Sequence, residues 1–214
     1  MKSALVYRNM ANFIVLLRTL MLFVIIYLFK VPSVNTRLAA LALLAAAAGL
    51  DWLDGYLARR LGISSKIGSL LDTLGDRISE NLLLVYFAWE KLVPLYVPLV
   101  FITRSFVSDL IRHINYSRGY ATFGINKSFL GRALVASKAS RALYLILKMS
   151  VFFAGGAALL AEVSGVAPAL LGGLKVSLLW GSGLLVAFNV LRFIFLAADS
   201  RGVLKEEFLK NEQE

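Results

Sequence analysis

The stretch "LDWLDGYLARRLGISSKIGSLLDTLGDR" (Leu50–Arg77) places Asp51, Asp54, Asp72 and Asp76 in a chain that is 59% hydrophobic and has only six aspartates. A charged side chain at the centre of a bilayer costs roughly 2.5 to 3.5 kcal/mol on insertion scales, so four carboxylates in an apolar region mark chemistry. Their spacing is ordered. Asp51, Asp54, Gly55 and Ala58 recur at i, i+3, i+4 and i+7, one face of a helix. Gly68, Asp72 and Asp76 recur at i, i+4 and i+8 on the next helix. The connector "RRLGISSK" is short, which predicts antiparallel neighbours whose carboxylates converge near one end. Converging carboxylates repel one another unless cations neutralise them. Hard oxygen ligands without histidine or cysteine select Mg²⁺, Mn²⁺ or Ca²⁺ over zinc. Gly55, Ala58 and Gly68 leave bare backbone where a phosphate-bearing ligand can approach, and Arg59 can pair with its charge.

The surrounding composition is that of a membrane protein. Mean hydropathy is +0.75, and 17% of residues are charged, against about a quarter in soluble domains. The 214 residues accommodate about six helical spans of ~20 residues. No polar stretch is long enough for a second domain, so residues 1–214 are expected to form a single membrane domain. The chain has no cysteine, which excludes disulfides and thiolate metal sites. Its net charge of +10 fits topology signals and anionic lipid or phosphate better than nucleic acid, and no nucleic-acid partner is expected. Lys2 and Arg8 precede an apolar run as in a signal peptide, but Arg18 interrupts that run, so it is read as a retained first helix.

Six apolar segments follow, at about 11–30, 35–60, 67–90, 92–113, 134–162 and 170–198. "KVPSVNTR", "RRLGISSK", "EKLVP", the long polar stretch Arg112–Arg132 and "EVSGVAPALLGG" separate them, and the residues from Asp199 onward read as a tail. "LAALALLAAAAGL" is a small-residue face suited to close helix packing. The predicted fold is all-α with six transmembrane helices. An even number of spans puts both termini on one side. That side receives nineteen of the lysines and arginines, while Lys30, Arg37, Lys91 and Lys175 fall on the other. The positive-inside rule then predicts cytoplasmic termini, with the aspartates near the cytoplasmic face of the membrane.

Taken together, the spacing is D-x-x-D-G-x-x-A-R, eight residues, then G-x-x-x-D-x-x-x-D, matched by Asp51, Asp54, Gly55, Ala58, Arg59, Gly68, Asp72 and Asp76. This resembles the signature of the CDP-alcohol phosphotransferase family, integral-membrane enzymes of phospholipid synthesis, and the resemblance extends to length and number of spans. It implies transfer of the phosphoryl-bearing part of a CDP-linked alcohol to an acceptor hydroxyl, with release of CMP. It implies two divalent cations, Mg²⁺ or Mn²⁺, held by Asp51, Asp54, Asp72 and Asp76, with Asp76 as general base. Asp51, Gly55, Ala58, Arg59 and Gly68 would line the CDP site, and the protein would form a homodimer.

The opening "NMANFIVLLR" is similar to the first helix of phosphatidylglycerophosphate synthases through Asn12, assigned to the CDP site, and Arg18; Ala11 and Val15 depart from that pattern. Arg104 and Arg112 match basic positions of the same group, where Ser105 replaces a glutamate, and Lys138 and Arg141 lie near a third. These four basic residues are the expected acceptor pocket, suited to an alcohol that carries a phosphate. CDP-diacylglycerol as donor and glycerol 3-phosphate as acceptor are the expected substrates. Inositol phosphate, serine and phosphatidylglycerol are the alternative acceptors, and a cation transporter using the same carboxylates is the alternative from another class. His113 is expected at the membrane interface, as are Tyr116, Tyr120 and Phe123. Glu80 continues the Asp72/Asp76 face and is expected to hydrogen-bond between helices.

Overall fold

Helix α1 (Lys2–Lys30) shows how the chain is meant to be solvated. Val15, Arg18, Leu22, Ile25 and Phe29 recur every three or four residues and are buried. The opposite face is also apolar, with Phe13, Leu16, Leu20, Phe23 and Tyr27 exposed. A helix apolar on both its packed and its outward face is matched to lipid rather than to water.

The structure is a computed structural model. It describes the backbone of residues 2–61, 66–117 and 128–211, and within these the side chains of all but 2–12, 14, 51–61, 66–70, 116–117, 136 and 206–211. The described residues are all-helical. After α1 come α2 (Val34–Leu61), α3 (Lys66–Trp89), α4 (Tyr96–Ser117), the single turn α5 (Phe129–Gly131), α6 (Lys138–Val163) and α7 (Pro168–Asn211). Two of them, over Lys138–Val163 and Pro168–Lys205, are long and apolar enough to cross a membrane by length and composition.

The chain divides into two compact units. The first comprises Met1–Leu92 and Phe152–Leu178. Here α1 packs against both α2 and α3. Arg37, near the start of α2, donates from Nε to the carbonyl of Phe29 at 3.1 Å and from Nη1 to the carbonyl of Leu159. It also pairs with Glu162 at 3.8 Å, whose other oxygen meets Lys175 at 2.9 Å. A buried guanidinium with these carbonyl and carboxylate partners gathers the ends of four helical segments at one level. At that level the Phe29 ring stacks on Tyr86 of α3 at 6.3 Å. Since Arg18 also reaches Asp72 and Asp76 (below), α1 and α3 run parallel, with α2 antiparallel to both.

Close packing in this unit depends on Gly155 and Gly156 of α6. A Cβ on Gly155 would lie 2.6 Å from the Phe87 ring, and one on Gly156 would lie 2.6 Å from Leu41 and 2.8 Å from Phe29. Gly156→Val is therefore expected to destabilise the protein by about 1 to 3 kcal/mol through overpacking. Gly172→Ala, with nothing within 4 Å of the added carbon, should leave stability unchanged or slightly raised. Thermal unfolding of the detergent-solubilised variants checks both. Helix α3 ends in a Schellman motif: Leu92 N donates to Phe87 O at 2.8 Å and Lys91 N to Ala88 O at 3.1 Å. Lys91 takes the left-handed position at φ 57° that glycine usually fills.

The second unit comprises Val93–Val151 and Leu179–Glu214. Side-chain bonds tie α7 to earlier elements. Asn115 of α4 donates to Ser200 Oγ at 3.1 Å. Ser128 donates from its backbone N and its Oγ to the Asp199 carboxylate at 3.3 and 3.0 Å. The same Ser128 Oγ caps α5 by accepting from Gly131 N at 2.9 Å.

Several boundaries differ from the sequence expectation. The fifth segment, expected from 134, begins as helix only at Lys138. Residues Arg132–Ala136 form a π turn, Ser137 is extended at ψ 147°, and its Oγ accepts from Ser140 N at 3.1 Å, capping α6. The fourth segment starts at Tyr96 rather than 92, because the Schellman end of α3 and Pro94 occupy the intervening turn. The expected tail instead continues α7 as helix to Asn211; its Leu, Lys and Glu residues are good helix formers.

Candidate active site

Asp72 and Asp76 stand one turn apart on α3, and both are bound by a single atom of α1. Arg18 Nη2 donates to Asp72 Oδ1 at 3.3 Å and to Asp76 Oδ1 at 3.4 Å. The Arg18 side chain is 7% exposed, while those of Asp72 and Asp76 are 50% and 46% exposed. The carboxylates are therefore about half exposed while bonded to a buried cation. Gly75, between them in sequence, makes the approach of α1 possible. A Cβ there would lie 3.0 Å from Val15 Cγ1 and 3.3 Å from Arg18 Nη2.

The side chains of Asn12, Asp51, Asp54, Gly55, Ala58, Arg59 and Gly68 lie outside the described residues; only their helical backbone is described. Asp51 follows Arg37 by 14 positions on α2, and Asp72 precedes Tyr86 by 14 on α3. At 1.5 Å per residue both sit about 21 Å from the Phe29–Arg37–Tyr86 level, and Arg18 sits about 17 Å from it. Counted along the helices, the backbones of Asp51 and Asp72 thus lie at similar distances from that level.

A divalent cation fits what is described here. The guanidinium nitrogen is a stand-in positive charge within reach of one oxygen from each carboxylate, and the donors are hard oxygens. Among the described residues, no group of three or more His, Cys, Asp or Glu side chains comes together, so the described part of the site is the Asp72–Asp76 pair. Glu80 is buried and pairs with Arg77 of its own helix at 3.6 Å.

The four expected acceptor residues belong to the second unit. Arg104 lies half-buried in the third turn of α4. Arg112 pairs with Asp109 one turn earlier at 3.9 Å. Lys138 and Arg141 occupy the first turn of α6 and are exposed. His113 is exposed near the end of α4, whereas Tyr116, Tyr120 and Phe123 lie outside the described side chains.

Two further cations in this unit were read from the sequence only as topology signals. Arg192 stands 5.1 Å from the centre of the Tyr144 ring and 5.9 Å from that of Phe188, and it donates to Val135 O at 3.4 Å. Lys148, itself buried, lies 5.9 Å from the same tyrosine ring. The i, i+4 pairs Tyr144/Lys148 and Phe188/Arg192, set in apolar helices, were the available signal.

Comparison with known proteins identifies the family. Residues 8–188 match the family model for CDP-alcohol phosphatidyltransferases, and that range contains all eight signature positions. The chain belongs to the CDP-alcohol phosphatidyltransferase family. Among similar family members, a cardiolipin synthase (CMP-forming) of Streptomyces coelicolor is 34% identical over 155 residues, 72% of this chain and 68% of that one. A CDP-diacylglycerol–glycerol-3-phosphate 3-phosphatidyltransferase of Pseudomonas fluorescens is 42% identical over 82 residues, 38% of this chain and 42% of that one. The Bacillus subtilis protein of the same name is 33% identical over 76 residues, 36% of this chain and 39% of that one. Both phosphatidyltransferase alignments thus span less than half of the relative's length. No solved structure gives a significant match.

Proposed function

We propose that this CDP-alcohol phosphatidyltransferase moves the phosphatidyl group of CDP-diacylglycerol to glycerol 3-phosphate. The acceptor hydroxyl oxygen forms a bond to the phosphatidyl phosphorus, the bond to the CMP oxygen breaks, and the hydroxyl proton passes to Asp76. The observation that carries this reading is the half-exposed Asp72–Asp76 pair on one face of α3, bonded to Arg18, within a complete family signature. Asp51, Asp54, Asp72 and Asp76 would hold two Mg²⁺ or Mn²⁺ ions, which when bound neutralise pyrophosphate charge and stabilise attacking and leaving oxygens. Asn12, Asp51, Gly55, Ala58, Arg59 and Gly68 would receive the CDP moiety. Asp76 acts as general base because a carboxylate beside bound hydroxyl is suited to accept its proton.

The same reading takes α1, α2, α3, α4, α6 and α7 as six membrane spans with cytoplasmic termini, in a homodimer, with the site open to the cytoplasm. It is supported by the apolar outward face of α1 and by the distribution of lysine and arginine.

The acceptor is the testable element. The phosphatidyltransferases of Pseudomonas and Bacillus favour glycerol 3-phosphate by their names. The longer alignment, to a cardiolipin synthase, favours phosphatidylglycerol as a second reading. CMP release from CDP-diacylglycerol by the purified protein is expected to be fastest with glycerol 3-phosphate in a panel that includes phosphatidylglycerol, inositol phosphate and serine. A faster rate with phosphatidylglycerol would establish the second reading, and absence of CMP release with every acceptor would remove both. Arg104, Arg112, Lys138 and Arg141 are proposed to hold the acceptor phosphate. Arg104→Ala and Lys138→Ala should each lower kcat/KM for glycerol 3-phosphate roughly tenfold to a hundredfold, the loss of a charge-assisted contact. The KM for CDP-diacylglycerol should be little changed. Unchanged acceptor kinetics would return both residues to a purely topological role.

A further inference from the structure

Arg18 occupies a position that packing alone would give to an apolar side chain. It falls within the buried series Val15, Leu22, Ile25 and Phe29 on the face of α1 that meets α2 and α3. A buried guanidinium persists there only when paired, and its partners include Asp72 and Asp76, both reached by the same Nη2 atom. The absence of a side chain at Gly75 leaves the space through which that atom approaches. Asp72 and Asp76, one turn apart, would otherwise repel each other and splay.

We propose that Arg18 is a positioning residue that serves as the internal counter-cation of the Asp72–Asp76 pair, sharing the pair with the divalent cation and thereby setting its affinity. The inference rests on the reading of these carboxylates as metal ligands. When no divalent cation is bound, the guanidinium keeps the two carboxylates together and α1 docked on α3. When one binds, it shares carboxylates already partly neutralised, so it is held less tightly than four bare aspartates would hold it. Reversibility of cation binding is then built into α1.

The test is Mn²⁺ titration of the full-length, detergent-solubilised protein followed by electron paramagnetic resonance, alongside thermal unfolding with EDTA and with Mn²⁺. Arg18→Gln, which removes the positive charge at similar length, should bind Mn²⁺ about tenfold more tightly or better, because the cation then no longer competes with the guanidinium for the two carboxylates. In EDTA its Tm should fall below that of the wild type, and Mn²⁺ should raise its Tm by more than it raises the wild type's. Arg18→Lys, which keeps the charge, should lie between the two in both readouts. It also supplies the affinity comparison if the glutamine variant does not fold. A purely structural arginine would lower Tm in EDTA and in Mn²⁺ alike and leave affinity unchanged, and that result overturns the inference. Affinity that weakens in both variants overturns it as well. Wild-type protein that binds no Mn²⁺ at all would instead remove the metal-site reading beneath it, and the inference with it.

Discussion

Asp76→Asn is expected to leave CDP-diacylglycerol binding largely intact while lowering turnover by about 10² to 10⁴-fold, the usual contribution of a general base. Asparagine is nearly isosteric and keeps an Oδ1 that can accept from Arg18 Nη2, now at 3.4 Å, so α1 should stay docked against α3. What it loses is the ability to take the acceptor's proton and one unit of ligand charge. Lost ligand charge adds to the deficit, so the upper part of the range is the expected one. Donor dissociation constants and single-turnover rates separate the two contributions. A variant that kept most of its rate would leave Asp76 as a ligand alone and require another base.

Chelation should have an effect of comparable size. Activity is expected to fall to background in excess EDTA and to return on addition of Mg²⁺ or Mn²⁺, since hard carboxylate donors suit these ions. The measurement is CMP release before and after back-titration with each ion. Full turnover in excess chelator would falsify the carboxylate-held cation reading, and the Asp76 deficit would then have to arise from proton transfer alone.

The family and the helical segments were legible in the sequence because the informative residues are local. The aspartate spacing within Leu50–Arg77 needs only helical periodicity to be read, and the six apolar segments correspond to α1, α2, α3, α4, α6 and α7 within a few residues at most ends. What escaped depends on long-range contact or on unusual backbone. Arg18 lies 54 and 58 positions from its carboxylate partners, and nothing in the spacing of α1 reveals them. Gly75 falls at an unassigned position of the motif, and its importance comes from the approach of Val15 and Arg18. The π turn before Ser137 replaces what hydrophobicity alone reads as an uninterrupted helix, because pattern reports burial and not the hydrogen-bond register of the backbone. The continuation of α7 past Asp199 was hidden by polar composition, yet Asp199 and Ser200 are where α7 is tied to Ser128 and Asn115.

Those two ties have a consequence for the order in which the chain matures during synthesis. They close loops of 71 and 85 residues, whereas the packing of α1 on α2 and α3 needs only residues up to Trp89. Ribosomes add roughly 5 to 20 residues per second, and early segments generally fold first. The three-helix part of the first unit can therefore assemble before α4 and the later helices have been made. The bonds from Ser128 to Asp199 and from Asn115 to Ser200 must wait until residues 199 and 200 have been made, so these ties of the second unit form late. A ribosome stalled between these points would hold a nascent chain whose α1–α3 packing can already form, with the Asn115 amide bonded to Ile111 O but not yet to Ser200.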